Sequence, residues 1–458
     1  MINNVILTFP RKVTNFFFIC NKLCVEATMS QDKKTSILLP PESVRGMKQL
    51  NRDAFRKTVE VPCLSVPKES ALKILKIVKP YILKLFNFKS LHETNCENMK
   101  FIYINPDLIK CFNDFKDIER TKLLENKIKE ENLTWKKLDI GYENWKPDII
   151  LKAILPPDLH VTSYSIIGHI LHLNLKEPVL EYKNLIGEVF LDKLRNVKTV
   201  INKTNSIDST FRFFTMEILS GENNMNVCVK ENGCIYKFDF SKVYWNPRLC
   251  TEHERIISKL EFGNFLFDVF AGVGPFAIPA AKKKCEVFAN DLNVHSFEWL
   301  KINVIANKVD SWIKTYNMDG RNFIHEVIKP KIKEIWKNNK SSKIHIVMNL
   351  PASAAEFLNE FTGLYSDLPD EEYGEMPFIH CYCFIKDADN YKEAAKQRIE
   401  FYLQYQLKTD VEVTFVRNVS PNKEMMRVSF KLPKEVTSQS KDDEPAQKKM
   451  CFSEKLQE

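Results

Sequence analysis

The run Phe267-Asp268-Val269-Phe270-Ala271-Gly272-Val273-Gly274-Pro275-Phe276 carries an apolar strand into a glycine-rich turn and then a helix start. That is the local grammar of a nucleotide-type cofactor pocket. Gly272 and Gly274 permit a tight turn and close approach of the backbone to a ligand, and Pro275 falls where a helix's first turn tolerates a missing N–H. About twenty residues on, a second apolar strand, Glu286 to Ala289, ends in Asn290-Asp291. A carboxylate there would hold a pair of ribose hydroxyls. Two more runs close in polar residues: Asn317-Met318-Asp319-Gly320 and Ile344-His345-Ile346-Val347-Met348-Asn349-Leu350-Pro351. Four such ends in order build one crevice at the carboxyl edge of an open α/β sheet, suited to an adenosine-containing cofactor. A nicotinamide enzyme would use the same frame.

The last strand end is the most specific. A turn such as Asn349-Leu350-Pro351-Ala352 after the fourth strand is typical of S-adenosylmethionine enzymes that methylate an amino group or a ring nitrogen. Pro351 fixes φ in that loop and keeps the Asn349 carbonyl aimed into the crevice. Four further runs stand in order: Asn196-Val197-Lys198-Thr199-Val200-Ile201-Asn202-Lys203, Phe211-Arg212-Phe213-Phe214, Val243-Tyr244-Trp245-Asn246-Pro247-Arg248-Leu249 and Thr251-Glu252-His253-Glu254-Arg255. Through them, residues about 160 to 432 resemble the archaeal and eukaryotic tRNA (guanine(37)-N1)-methyltransferase family. Pro40-Pro41 and Val44-Arg45-Gly46-Met47 extend the likeness to that family's N-terminal region.

The resemblance implies an α/β chain: a C-terminal Rossmann-like class I methyltransferase domain with a mostly parallel, doubly wound sheet, preceded by a smaller α+β middle domain and an N-terminal domain. It implies S-adenosyl-L-methionine as cofactor and a folded tRNA as partner, with guanosine 37 flipped out of its stack. On the cofactor side, Asp291 would hold the ribose hydroxyls, Leu292 pack on the adenine, and Asp319 accept from the adenine amino group with Gly320 allowing approach. His253 would lie against the cofactor, Gly272 and Gly274 line the floor, and Asn349 sit near methionine and target base. Asp268 would orient the turn.

Guanine N1 carries a proton in the neutral base, so methylation there demands a base and a cation that tolerates charge arriving at O6. By analogy with the family's motif positions, Glu252 would take the proton and Arg212 would donate to O6. Neither a metal nor a covalent intermediate is required. Glu252 also stands inside a capping box, with Thr251 as N-cap and Glu254 at N3. Glu254 is the second choice for base. Two other readings use the same frame: a wybutosine-pathway aminocarboxypropyl transferase acting on the same nucleotide, and a tRNA-binding protein without catalysis. Arg212, Glu252 and the Asn349-Leu350-Pro351 turn together favour methyl transfer.

The elements that must position these residues divide as follows. Residues 1–28 hold Arg11, Lys12 and Lys22 against the single acid Glu26, with Phe16-Phe17-Phe18-Ile19 as an apolar patch. They read as a mitochondrial presequence, an unstructured N-terminus being the other reading, and imply a matrix protein with nuclear and cytoplasmic pools. Residues 29–137 form an N-terminal tRNA-contacting domain that ends in a helix over Glu119 to Lys137, spaced by Leu123, Leu124, Ile128 and Leu133. The stretch 48 to 57 is basic enough to touch phosphate or to be a solvated helix. Residues 138–255 are the middle domain, with Pro156-Pro157 as a linker and a helix near Tyr182 to Leu194. Its run of Lys193, Arg195, Lys198, Lys203, Phe211, Arg212 and Phe213 would clamp single-stranded bases, or else be a two-faced sheet. Residues 256–432 are the catalytic domain, and Pro433 to Glu458 a disordered tail.

Composition excludes more than it identifies. The 458 residues exceed one ordinary core, and 67 Lys and Arg against 59 Asp and Glu leave a net charge of +8. That balance suits a polyanion but falls short of a histone-like excess. Twelve cysteines occur without a Cys-x-x-Cys pair, so no metal site is expected. His380-Cys381-Tyr382-Cys383 reads as a strand rather than a ligand cluster. No run approaches the length of a bilayer span, and no heptad advertises a partner, which implies a monomer.

Overall fold

The computed structural model describes residues 37–94, 96–161, 163–207 and 214–439. Two units form, interleaved in sequence. One gathers Val59–Leu83 and Leu91–Lys137; the other gathers Pro40–Thr58, Lys84–Ser90 and the chain from Leu138 onward. The expected N-terminal domain is therefore not one block, since two of its segments go with the second unit.

The first unit is a sheet ordered β2-β3-β1-β4, built from β1 (Lys57–Pro67), β2 (Leu91–Glu93), β3 (Met99–Tyr103) and β4 (Leu133–Ile140), with helices α1 (Ala71–Ile77) and α2 (Asp117–Glu125). Leu64, Val66, Ile74, Ile102, Phe115 and Leu123 share its core. The helix expected to run to Lys137 stops at Glu125. Ile128 N–H bonds to Leu123 O and Lys127 N–H to Leu124 O, both at 2.9 Å, around a left-handed Lys127 (φ 61°). This is a Schellman stop with lysine where glycine is usual. The residues beyond it supply an edge strand instead.

In the second unit, α3 (Pro147–Ile154) precedes a four-stranded sheet of β5 (Tyr164–Ile167), β6 (Ile170–Leu173), β7 (Thr199–Ile207) and β8 (Phe214–Gly221), in that order, with α4 (Lys183–Lys193) lying on β7 and β8. The stretch 48 to 57 forms only a short turn, and its cations are engaged. Lys48 pairs with Glu181 at 2.7 Å, and Arg52 with Asp192 at 2.7 Å. A hairpin follows, β9 (Asn226–Glu231) and β10 (Cys234–Asp239), turned by Asn232 and Gly233 at φ 48° and 71°. Two positive φ values in a two-residue loop match the twist of paired strands.

Helix α5 (Cys250–Lys259) leads into the large sheet: β11 (Phe265–Asp268), α6 (Ala277–Lys282), β12 (Glu286–Asn290), α7 (Val294–Ala306), β13 (Ile313–Tyr316), α8 (Gly320–Phe323), α9 (Lys329–Asn338), β14 (Ile344–Met348), β15 (Phe378–Lys386), α10 (Tyr391–Leu403), β16 (Glu412–Ser420), β17 (Lys423–Lys431) and a last turn, α11 (Lys434–Ser438). Its order is β13-β12-β11-β14-β15-β17-β16. The first five strands are parallel, and β17 lies antiparallel between β15 and β16. The order reverses at β11, the place where such sheets open a ligand crevice. Side chains alternate between two cores. Phe267, Ile346 and Met348 pack with α9 and α10 on one face, while Leu266, Val287 and Val347 pack with α5, α6 and α7 on the other.

That second core also takes in Ile167, Ile170 and Ile201 of the smaller sheet and Tyr236 and Phe238 of the hairpin. The expected boundary at 255/256 thus cuts through continuous packing. Asn303 of α7 explains the hairpin's place: its Oδ1 accepts from Lys237 N–H at 2.8 Å, and its amide donates to Lys237 O at 3.1 Å and Val273 O at 3.2 Å. Asn307, one turn on, repeats the exchange with Ile235. Two amides on one helix face serve the hairpin's edge as a neighbouring strand would.

Residues 378–386 form the expected strand, β15. Residues 433–439, expected within a disordered tail, are ordered: Val436 is buried and its carbonyl accepts from Gly363 N–H at 2.9 Å. Residues 1–36, which include the expected presequence, and 440–458 lie outside the described residues.

Candidate active site

Two glycines shape the crevice floor in different ways. Gly272 sits at φ 56° with open space where a side chain would start, and Gly274 at φ 99° with Ile278 and Leu300 each 2.8 Å from that point. The first leaves room for a ligand; the second lets α6 and α7 close on the turn. Pro275 lies in the turn itself, and α6 starts two residues later at Ala277.

The ends of β11, β12 and β13 are stitched by Asn290, buried. Its amide donates to Val269 O at 3.1 Å and Met318 O at 3.0 Å, and its Oδ1 accepts from Met318 N–H at 3.0 Å. Asp291 beside it accepts from Gly272 N–H at 2.7 Å and Asn293 N–H at 2.9 Å. The side chain is only partly covered, yet burial lifts its carboxyl to about 6 against those two donors. Asp268 is fully buried with no hydrogen bond of good geometry on either oxygen. Burial and the charge of Asp291 push it well above the usual carboxylate range, against the nearby Phe270 N–H. Of the two acids only Asp291 carries charge near neutral pH, so it is the carboxylate available to ribose hydroxyls, while Asp268 stays neutral beneath the turn.

Asn349, at the end of β14, leaves its buried Oδ1 without a partner. An acceptor in that state invites a donor from a bound molecule. Leu292 and Val294 are apolar yet about half exposed after β12, as a ring-stacking rim would be. Asp319 caps α8 through Arg321 N–H at 2.8 Å, which uses one oxygen. A side chain starting at Gly320 would meet Phe270 and Phe357 at 3.0 Å, so its absence lets these two rings approach the turn. Pro351 O accepts from Phe384 N–H at 2.9 Å, fixing the loop to β15.

Glu252 is buried, and Thr251 is not its helix's cap. A turn over Pro247–Leu249, capped by Asn246 Oδ1 on Arg248 N–H at 3.1 Å, carries straight into α5, which places Glu252 at the third position. Glu254 is exposed. Glu252 Oε1 accepts from Tyr382 Oη at 2.8 Å and Arg427 Nη1 at 2.7 Å, and Oε2 accepts from Arg255. His253 is bonded at 2.5 Å to Glu231 and edge-on to Phe276 of the glycine turn, so it supports that turn from beneath. Arg212, with Phe211 and Phe213, lies outside the described residues.

Three residues escaped the reading of motifs. Arg427 stands fully buried inside Met425-Met426-Arg427-Val428, and a charge at an inward strand position was the available signal. Tyr382 and Arg417 are the others. Arg417 and Lys203 act on each other electrostatically, as do Arg417 and Arg248. Burial, then Arg417, brings Lys203 down to about 8. Cations drawn together at partly buried positions are complementary to a polyanion.

The description TRM5/TYW2 methyltransferase domain matches residues 227–413, and TYW2 N-terminal domain matches residues 148–224. The first begins at the hairpin, in agreement with its packing. The chain is 43% identical to a tRNA (guanine(37)-N(1))-methyltransferase of Danio rerio, over 96% of this chain and 94% of that one. It is 43% identical to that of Homo sapiens over 91% and 82%. Among solved structures, Trm5b from Pyrococcus abyssi aligns with a TM-score of 0.57 and 23% identity, covering 81% of this chain and 99% of that one, which supports the fold.

Proposed function

We propose, for a chain that belongs to the tRNA (guanine(37)-N(1))-methyltransferase family, that it methylates N1 of guanosine 37, 3′ of the anticodon in tRNA, using S-adenosyl-L-methionine. The observation that carries the reading is the crevice at the switch point. It has the carboxylate of Asp291 at its edge, open room over Gly272 and an orphaned Asn349 Oδ1. A ligand carrying a sulfonium, an ammonium and a ribose fits those acceptors. When bound, it supplies a methyl group on a positively charged sulfur.

The chain's own residues would divide the work. Asp291 and Leu292 hold ribose and adenine, Asp319 offers its second oxygen to the adenine amino group, and Gly272 admits the ligand to the floor, with His253 bracing the turn. Asn349, held by the loop that Pro351 pins to β15, orients the target base at its unpaired Oδ1. Glu252 removes the N1 proton, and Arg212 donates to O6 as charge moves there. Lys203, Arg248 and Arg417 meet the phosphates beside the flipped nucleotide, while residues 29–137 measure the tRNA body.

The localisation we propose is the mitochondrial matrix, supported by the basic, acid-poor residues 1–28, with nuclear and cytoplasmic pools, for which Met29 offers a second start without that leader. The proposed state is a monomer. The match of residues 148–224 to a TYW2 domain favours one second reading, transfer of the aminocarboxypropyl arm to the same nucleotide. Incubating the purified chain with tRNA and cofactor labelled in either the methyl or the aminocarboxypropyl carbons separates them. Label in 1-methylguanosine supports methyl transfer, and label retained only from the amino acid arm refutes it.

A further inference from the structure

The carboxylate of Glu252 is unevenly occupied. Oε1 accepts from Tyr382 Oη at 2.8 Å and from Arg427 Nη1 at 2.7 Å, whereas Oε2 accepts from Arg255. A carboxylate oxygen has about two lone-pair sites, so Oε1 is filled and Oε2 keeps one open.

The two Oε1 donors are fixed with care. Tyr382 of β15 and Arg427 of β17 are register partners across the antiparallel pair, and both are fully buried. Arg427 Nη2 is held in turn by Glu412 Oε1 at 2.7 Å and Thr414 Oγ1 at 3.0 Å on β16. Lys259 of α5 pairs with the other oxygen of Glu412 at 2.7 Å. Arg255, by contrast, keeps 39% of its side chain in solvent. A buried ion pair is weak evidence for stability, because apolar replacements are often as stable, so three strands' worth of polar groups on one carboxylate calls for another role.

We infer that Tyr382 and Arg427 are positioning residues for the proton transfer: they lock Oε1 of Glu252, so that Oε2 is the accepting atom and Arg255 the partner that yields. This rests on the reading of Glu252 as the base. The N1–H bond breaks, an O–H bond forms at Oε2, and the electron pair stays on N1 for the incoming methyl group. Oε1 keeps both donors throughout, so the carboxyl does not turn. The charged and titratable groups around it are Arg255 and Lys259 on α5, Tyr382 on β15, Arg427 on β17 and Glu412 on β16. The pair His253 and Glu231 stands next along the helix.

The test is single-turnover methyl transfer to one tRNA transcript, followed from about pH 5.5 to 9, with the full chain and its Tyr382→Phe, Arg427→Lys and Glu252→Gln variants. Removing a donor from a carboxylate makes it easier to protonate. Tyr382→Phe therefore moves the acidic limb up by about one pH unit and lowers the plateau rate several-fold. Arg427→Lys keeps the charge, loses the fork, and moves the limb the same way. A rate lowered equally at every pH, limb unmoved, in both variants overturns the positioning role. A Glu252→Gln rate equal to wild type overturns the base assignment instead.

Discussion

The backbone N–H of Gly272 donates to Oδ2 of Asp291 at 2.7 Å, joining the turn after the first parallel strand to the end of the second. The bond does two things at once. It holds the glycine turn open over the crevice, and it occupies one lone pair of the carboxylate while leaving others for a ligand. Because burial raises that carboxyl to about 6, the pair also carries a pH dependence.

The sign follows from the direction of the shift. A carboxyl lifted by folding favours its protonated form, so the stability it contributes falls as pH rises from about 4 through about 6. A ligand that needs the anion behaves oppositely. Calorimetric binding of S-adenosylhomocysteine should weaken about tenfold between pH 7 and pH 5, and Asp291→Asn should bind weakly with little slope. Equal affinity at both pH values in the wild type would remove Asp291 from the cofactor site.

Gly272→Ala and Gly274→Ala should fail in different ways. At Gly274 an added methyl meets Ile278 and Leu300 at 2.8 Å, so thermal melting should reveal a loss of about 2–4 kcal/mol. At Gly272 nothing lies within 4 Å, and the cost is the strain of a left-handed alanine, about 1–2 kcal/mol. Its larger effect should be on cofactor affinity. If Gly272→Ala binds normally, the ligand does not pass over that turn.

Asn303→Ala should destabilise by about 2–4 kcal/mol, since three partners around a fully buried side chain lose their hydrogen bonds at once. Amide exchange of Lys237 should accelerate along with the loss of melting temperature. Unchanged exchange at Lys237 would show that the hairpin edge does not depend on α7.

Glu252→Gln should lower turnover by about a hundred- to ten-thousand-fold and leave S-adenosylhomocysteine binding nearly intact. Arg212→Ala should depress turnover with the same preserved binding. A variant of either that also releases the cofactor would place that residue on the wrong side of the crevice.

The sequence exposes what depends on local rules. The glycine turn, the four polar strand ends and the strand through His380 to Cys383 follow from alternation and turn residues, and all are present where expected. Features decided by tertiary contact were hidden. Lys127 in a left-handed cap ends α2 without the usual glycine, and Thr251 looks like an N-cap although the turn over Pro247–Leu249 has already begun the helix. Arg427 and Tyr382 lie far along the chain from Glu252, and only the pairing of β15 with β17 brings them to it.

The most direct measurement gives the purified chain methyl-labelled S-adenosylmethionine and two transcripts of one tRNA, carrying G or A at the nucleotide 3′ of the anticodon, and analyses the nucleosides. Labelled 1-methylguanosine from the G transcript alone is the predicted result. Cofactor binding without methyl incorporation into either, or equal labelling of both, would contradict it.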